Sequence, residues 1–362
     1  MTEQQQWLPE WHAAKGIWLR WPYRSDIWPM AGDAAQGDIL ALLSTLNDTA
    51  LELHLMVPKA ALSAATEKLE ATLGGSAAQR VQLHEVEYAD IWLRDCAPFV
   101  CANGLHQHFG FDGWSGVDDQ WQKDVDARDW LSQYLQAKVS AHDIVLEGGA
   151  LYTDGEGTGL ACAGGTLFRA ANSEWSVKAF ETELRERLGI ERIHWLPGKF
   201  SADETGGHAD NVASFLAPGV IAYAMAKPGH ADYATCKRVE RYLTEARDAK
   251  ERAYQCVALP LPTPLRLSNS EATSIAARAG VRRRIAGMPL MASYLNFIRA
   301  GNLVVLPTFG IAEDQQALAI MQQALPHVDV RQSPARALLA GGGGLHCASW
   351  VEPELSSTAS SE

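Results

Sequence analysis

The chain has 362 residues, of which 47% are hydrophobic and 20% are charged, and its formal net charge at pH 7 is −12. This length and apolar content suffice for a substantial buried core, so a disordered chain is not expected. The acidic excess disfavours nucleic-acid binding, which needs clustered Lys and Arg to neutralise phosphates. The basic cluster over 278–284 is small, and it is predicted to be a solvated helix face or loop.

The first ten residues and the cysteines bear on the cellular compartment. Residues 1–10 lack the basic start and the apolar stretch of a secretory signal, and the sequence has no run of about 18 apolar residues that could span a membrane. We therefore expect a cytoplasmic protein with no membrane partner. The cysteines are scattered without Cys-x-x-Cys pairs, which favours reduced thiols over a disulfide framework or a zinc site.

Strand-like and helix-like segments alternate along the whole chain. Apolar or alternating runs predict strands, in order, at 16–22, 51–57, 81–86, 144–146, 192–196, 212–224, 254–261 and 302–307. Apolar residues at helical spacing predict helices at 39–46, 59–73, 121–135, 177–188, 233–250, 314–325 and 334–339. The helix over 59–73 is expected to end in a left-handed cap at Gly74 and Gly75.

This alternation predicts an α/β protein. No linker rich in Pro, Gly or Ser interrupts it, so we predict one domain over 1–354 and a disordered tail over 355–362. Five α/β units would average about 72 residues each, which is compatible with a closed ring. A doubly wound parallel sheet would explain the alternation too, but its Gly-x-Gly-x-x-Gly phosphate turn is absent, so nucleotide binding is not expected.

The segment 340–347 is the most unusual in the chain, because four consecutive glycines stand shortly before Cys347. Glycine runs lose conformational entropy on folding, so a folded protein that keeps one is expected to use positive φ angles or close backbone approach. On such a loop the thiol of Cys347 could reach a substrate. The alternative is a glycine-rich connector with a buried, inert cysteine.

Three further segments place polar groups beside glycine or at a strand end. In an extended segment, His208 and Asp210 would face one pocket, although they could equally be a structural histidine and its own partner. Asp95 could simply pair with the adjacent Arg94. Glu147 follows an apolar strand, and its buried carboxylate needs a partner, for which histidine is a good candidate. No spacing supplies a third metal ligand, so no metal is expected.

These groups together suggest a chemistry. A cysteine, a histidine and an orienting acid form the general arrangement of nucleophile, base and orienting group. Two further carboxylates match the N–H edges of a planar guanidinium, which offers donors only. The predicted partner is therefore a small cationic guanidinium compound, attacked at its carbon.

Longer motifs follow one another in order over nearly the whole chain, at 9–11, 18–22, 92–95, 111–114, 147–149, 154–158, 205–211, 293–297, 307–310 and 341–347. In number and order they resemble the agmatine deiminases, within the guanidino-group-modifying (pentein) superfamily that includes arginine and bacterial peptidylarginine deiminases. The resemblance implies a fivefold pseudosymmetric α/β propeller with the site in its central cavity. It also implies cofactor-free hydrolysis of agmatine to N-carbamoylputrescine and ammonia.

The resemblance also implies roles for individual residues. Cys347 is expected to be the nucleophile and His208 the general acid and base, oriented by Glu147. Asp95 and Asp210 are expected to hold the guanidinium. The candidates for the rest of the substrate are Glu204 at its far end and, along its methylene chain, Trp92 and Trp114. Both tryptophans could equally well pack in the core.

The chain departs from the agmatine deiminases at a few positions, which leaves the substrate open. An Asn-Arg-Asn-Pro element is replaced by 168–172, Glu204 stands where Asp is usual, and Gly344 stands where Asn is frequent. Residues 168–172 and 204 could lie at the end of the pocket remote from the guanidinium. The alternatives are an arginine or peptidylarginine deiminase, a non-catalytic binding protein, or an amidinotransferase of the same fold. Free arginine would call for an Arg or Lys clamp, which the sequence does not identify. A homodimer is left open.

Overall fold

The computed structural model describes residues 5–355, so the predicted tail over 355–362 lies outside the described residues except for Leu355. Sixteen strands occur in this range. They are β1 (Ala14–Arg20), β2 (Glu52–Val57), β3 (Val81–Glu85), β4 (Phe99–Val100), β5 (His106–Gly110), β6 (Val139–Val145), β7 (Leu151–Thr153), β8 (Thr158–Cys162), β9 (Arg192–Leu196), β10 (Ala213–Ala217), β11 (Val220–Met225), β12 (Gln255–Pro260), β13 (Ile298–Ala300), β14 (Leu303–Thr308), β15 (Asp329–Pro334) and β16 (Ser349–Pro353).

The strands form five small sheets with one repeated pattern. Four sheets have three strands each, in the orders β4-β5-β6, β7-β8-β9, β10-β11-β12 and β13-β14-β15. In each, the first two strands pair antiparallel and the last two pair parallel. A parallel pair needs a long crossover, and a helix supplies it in every unit.

The fifth sheet joins the two ends of the chain. Its order is β16-β1-β2-β3, with β16 antiparallel to β1 and the other neighbours parallel. The C-terminal strand therefore takes the place that the first strand has in the other four units. The fivefold repetition implied by the resemblance is thus confirmed.

The crossover helices have 12 to 14 residues and lie at Asp33–Leu46, Leu62–Leu73, Gln122–Tyr134, Val177–Leu188, Tyr233–Glu245 and Glu313–Ala324. Shorter helical turns lie at Gly75–Ala78, Leu93–Cys96, Gly113–Gly116, Ala209–Val212, Asn269–Ser274 and Leu345–Ala348. 3-10 turns lie at Pro29–Gly32, Lys59–Ala61, Ala163–Gly165, Ala170–Asn172 and Leu338–Gly341. None of the helices within 5–355 is long and apolar enough to cross a membrane.

A few sequence predictions are wrong in detail. The single strand predicted over 212–224 is a hairpin of β10 and β11, which reverses at Gly219 with a φ of 73°. The helix predicted over 334–339 is instead the end of β15 and a 3-10 turn. Gly74 has a positive φ of 79°, but its ψ of 163° is not helical, so the predicted left-handed cap does not form.

Several strands carry no clear sequence signal. The strands β4, β7 and β13 have only two or three residues, too short for an alternation to be recognised. Strand β5 has the sequence His-Gln-His-Phe-Gly, and its polar residues are buried, with His106 and His108 sharing the hydroxyl of Ser132 at 2.8 Å each. A buried strand with such a polar composition does not show the apolar pattern by which strands are predicted from sequence.

Candidate active site

Each of the five units places one or two polar side chains a few residues before its first strand. These side chains are Asp95 before β4, Glu147 before β7, His208 and Asp210 before β10, Asn296 before β13 and Cys347 before β16. All of them are buried. The structure thus brings together the five residues expected to be catalytic, and it adds Asn296, to which the sequence analysis assigns no role.

Gly149 lies where three of these groups meet. A Cβ atom at this position would stand 2.8 Å from Asp95 Oδ1, 2.8 Å from His208 Nδ1 and 2.9 Å from Asp210 Oδ2. The backbone N–H of Gly149 also donates to Asp95 Oδ1 at 3.0 Å. Any side chain here would fill the space between the carboxylates and the imidazole, so glycine keeps that space open.

The thiol of Cys347 is held by two neighbours. Its Sγ donates to Asp210 Oδ2 at 3.2 Å, and Asn296 Nδ2 donates to Sγ at 3.1 Å. The Asn296 side-chain oxygen also accepts from the backbone N–H of Cys347 at 3.3 Å. Burial raises the pKa of the thiol well above its usual value, and the charges of Asp210 and Asp95 raise it further. A nearby cation would favour the thiolate.

His208 is fully buried, and both of its ring nitrogens lack a hydrogen-bond partner among the described residues. Its Nδ1 lies 3.8 Å from Asp95 Oδ1, and its Nε2 lies 3.7 Å from Glu147 Oε2. Burial alone would lower the pKa of the imidazole, but Asp95 and Glu147, with a smaller contribution from Asp210, raise it to about 10. The two carboxylates therefore favour the protonated form of the ring.

Glu147 has a direct partner that the sequence analysis missed. Its Oε1 accepts a short hydrogen bond from Arg169, whose Nη1 also lies 2.8 Å from Asp112 Oδ1. Arg169 Nη2 donates to the backbone carbonyl of Thr205 at 3.2 Å. The predicted histidine partner of Glu147 is only the second neighbour. Arg169, within the segment 168–172 that the sequence analysis placed away from the guanidinium, thus contacts a residue expected to be catalytic.

Asp95 accepts from Trp114 Nε1 at 2.8 Å, in addition to the backbone of Gly149. Burial raises the pKa of Asp95 to about 6, although the charge of His208 opposes the shift. The alternative in which Arg94 pairs with Asp95 is wrong, because Arg94 Nη1 lies 3.1 Å from Glu10 Oε1. Trp114 reaches Asp95 from a turn with a left-handed φ of 56°, a strained conformation that is common at functional sites.

Asp210 contacts a buried row of ionisable groups formed by His346 and Glu10. His346 Nδ1 lies 3.0 Å from Asp210 Oδ2, and His346 Nε2 lies 2.7 Å from Glu10 Oε1. Burial alone would raise the pKa of Asp210, but His346 and His208 lower it overall. Burial and Arg94 would lower the pKa of His346, but Glu10 and Asp210 raise it overall. This row of ionisable groups therefore favours an imidazolium at His346 and an ionised carboxylate at Asp210.

The loop before His208 is shaped by Asp203. Its carboxylate accepts from the backbone N–H of Thr205 at 2.8 Å, from the Thr205 hydroxyl at 2.6 Å and from the backbone N–H of His208 at 2.8 Å. His208 is extended, but Asp210 lies in the helical turn Ala209–Val212. The extended geometry predicted for the pair is therefore wrong, although both side chains face the same space.

A cavity of about 560 Å³, including its open mouth, lies beside Cys347. Trp92, Trp114 and Asp95 line it, so the two tryptophans border the cavity as well as packing against the core. Gly343 also lines it, and a Cβ there would stand 2.6 Å from the Trp92 ring and 3.0 Å from Cys347 Cβ. The backbone of the glycine run therefore packs against Trp92 and Cys347 where a side chain would not fit.

Glu204, Arg282 and Arg284 also line this cavity. Glu204 is not free, because its Oε1 accepts from Arg284 Nη1 at 2.8 Å. Arg284 is only 8% exposed, so the prediction of a solvated basic cluster is wrong for this residue. Arg278, by contrast, pairs at the surface with Asp119 at 2.8 Å. Within 5–355, no group of three His, Cys, Asp or Glu side chains is arranged to hold a metal ion.

Comparison with known proteins agrees with this geometry. A model of the Porphyromonas-type peptidyl-arginine deiminase family matches residues 6–353. The chain belongs to this family. Agmatine deiminases of Pseudomonas fluorescens and Ectopseudomonas mendocina are 31% and 32% identical to it over 354 residues, covering 95% of this chain and 94% of each relative.

Comparison with solved structures confirms the fold of this member of the family. The agmatine deiminase of Enterococcus faecalis superposes with a TM-score of 0.89 at 24% identity, covering 96% of both chains. At that identity the likeness concerns the fold alone. The α/β pentein architecture predicted from the sequence motifs is therefore confirmed.

Proposed function

We propose that this protein hydrolyses the guanidinium group of a small compound to a ureido group and ammonia, with agmatine as the first candidate substrate. Agmatine would give N-carbamoylputrescine. The observation that carries the proposal is the convergence of a thiol, an imidazolium and two carboxylates on the space beside Gly149. Agmatine is the first candidate because the relatives at 31% and 32% identity are agmatine deiminases.

Substrate binding would use the two carboxylates. A planar guanidinium offers N–H donors on several edges, and carboxylates accept them in pairs. Asp95 and Asp210 would take these edges, while Trp92 and Trp114 would cover the methylene chain. With its carbon held near the sulfur of Cys347, the reaction becomes effectively intramolecular.

The first step would form a covalent intermediate on Cys347. The guanidinium charge favours the thiolate, and the thiol proton leaves along its 3.2 Å hydrogen bond to Asp210. The sulfur then attacks the guanidinium carbon. His208, as an imidazolium, donates a proton to one nitrogen of the adduct, which leaves as ammonia. An amidino thioether remains on Cys347.

The second step would release the product. Neutral His208 takes a proton from water as the water attacks the amidino carbon, and the carbon–sulfur bond breaks. The sulfur takes back the proton held by Asp210, the hydroxyl proton of the adduct passes to the solvent, and the ureido product leaves. Glu147 lies 3.7 Å from His208 Nε2 and would stabilise the imidazolium, while Arg169 holds the glutamate in place.

Product analysis tests the proposal. We expect the purified protein to convert agmatine to ammonia and a ureido product in equal amounts. Arginine and a blocked arginine peptide, tested in parallel, separate the alternative deiminases. After an acid quench during turnover, mass spectrometry should find an amidino adduct on the peptide that contains Cys347. If none of the three compounds releases ammonia, the proposal is wrong.

We expect kcat/KM to fall at acidic pH because Asp95 must be ionised to bind a cation. Its pKa in the free protein is raised to about 6, so the carboxylate is present above that pH and is lost below it. The decline should approach about tenfold per pH unit. In Trp114→Phe, which loses a hydrogen bond to ionised Asp95, the acidic limb should move to higher pH. Identical pH profiles of kcat/KM would contradict this role of Asp95.

A further inference from the structure

The cavity beside Cys347 also holds a buried ion pair. Arg284 Nη1 donates to Glu204 Oε1 at 2.8 Å, and Arg284 Nη2 donates to the backbone carbonyl of Gly341 at 2.5 Å. The side chains of Arg284 and Glu204 are only 7% and 10% exposed, and both residues line the cavity. The cavity therefore presents a cation and an anion side by side.

The glycine run connects this pair to the thiol. A Cβ at Gly342 would stand 2.7 Å from Arg284 Nη2 and 3.7 Å from Glu204 Oε2, while a Cβ at Gly343 would stand 3.0 Å from Cys347 Cβ. Consecutive Cα atoms are about 3.8 Å apart. Gly342, beside the ion pair, and Gly343, beside Cys347, are neighbours in the chain. A short aliphatic chain bound at Cys347 can therefore reach the ion pair.

The charge of the substrate tail decides how well it fits there. An ammonium alone would compete with Arg284 for Glu204 and leave the buried arginine without its partner. A carboxylate alone would compete with Glu204 for Arg284, with the opposite result. Leaving one member of a buried ion pair unpaired is unfavourable, so agmatine would gain less binding energy from this pair than a tail with both charges. A tail that carries both groups can exchange with the pair, its ammonium at Glu204 and its carboxylate at Arg284.

Other charged side chains that line the cavity also favour a carboxylate on the substrate tail. Arg282 is exposed and lines the same cavity, so it adds a second positive charge to the cavity wall. Asp118 lines the cavity too, but its carboxylate is paired with Arg24 and with Arg278 at 3.1 Å. Two of the residues that line the cavity are therefore arginines, and both favour a carboxylate on the tail. A planar guanidinium can bind it with two parallel hydrogen bonds.

We propose that Arg284 is a specificity-determining residue, and that the pair it forms with Glu204 binds the α-amino acid end of free guanidino amino acids such as arginine. The inference rests on the proposed deimination and extends its substrates beyond agmatine. With arginine, the same two steps consume one water and release one ammonia, and the product is citrulline.

The test compares three substrates that share the guanidinium and differ in the tail. Agmatine carries an ammonium, arginine carries both charges, and butylguanidine carries none. The value of kcat/KM for each charged substrate is divided by that for butylguanidine with the same variant, which removes changes in the chemical step. We expect the unmodified protein to deiminate arginine as well as agmatine.

The variants then isolate the carboxylate contact. Arg284→Met should lower the arginine-to-butylguanidine ratio of kcat/KM by at least about tenfold, because the variant loses the contact to the carboxylate of arginine. Arg284→Lys keeps the charge without the planar fork and should lie between the two. Arg283→Met is the matched control, since it removes an exposed arginine that does not line the cavity, and it should leave the ratio unchanged.

Two results would overturn the inference. One is a protein that deiminates agmatine and butylguanidine but not arginine. The other is an unchanged ratio in Arg284→Met and Arg284→Lys, with thermal melting showing that both variants fold. If the unmodified protein deiminates none of the three compounds, the proposed deimination fails, and the inference fails with it.

Discussion

In Cys347→Ser we expect turnover to be lost while the fold is kept, with kcat at least about 10⁴-fold lower. The serine hydroxyl can keep the hydrogen bonds to Asp210 and Asn296, so packing should change little. A hydroxyl ionises far less readily than a thiol, and the guanidinium charge cannot make up the difference. Steady-state ammonia release measures the loss, and thermal melting checks the fold.

Cys256→Ser is the matched control for this variant. Cys256 is a free, half-buried cysteine on β12, away from the polar residues that precede the strands. The same atom is exchanged there, so activity should be kept. Full activity in Cys347→Ser, or an amidino adduct on another cysteine, would place the nucleophile elsewhere.

The second large effect is expected for Asp210→Asn, with kcat/KM lower by about 10²-fold to 10³-fold. The substitution removes a charge that faces the guanidinium. It also disturbs Oδ2, which accepts from Cys347, Asn296 and His346. KM should therefore rise as well as kcat fall. An amide cannot take the thiol proton as a carboxylate can.

A direct binding measurement separates substrate capture from chemistry. In the Cys347→Ser background, which cannot turn over, Asp210→Asn should weaken agmatine binding measured by calorimetry. Asp143→Asn is the matched control, because it removes the same charge from an exposed position on β6. Unchanged affinity and unchanged kcat/KM in Asp210→Asn would contradict the assigned role.

Much of the fold and part of the site could be predicted from the sequence. The helix over 177–188 and the strand over 192–196 match the structure residue for residue, because their apolar periodicity is clear. The repeated pattern also places polar residues before the strands, and glycines lie beside Glu147 and His208 and shortly before Cys347. A comparison of all five units would have singled out Asn296 as well, since it too stands shortly before a strand.

Local sequence thus determined the alternating elements, the class of fold and the segments that carry the chemistry, because backbone periodicity and turn chemistry act between near neighbours. Tertiary structure alone decided which side chains contact one another in the site. Arg169 meets Glu147 across 22 positions, His346 meets Asp210 across 136, and Arg284 meets Glu204 across 80. The second and third contacts join separate units, and the first joins the start of one unit to the loop after its second strand. Burial and charge act through space, so the pKa values and the charge pattern of the cavity arise only once the chain is folded.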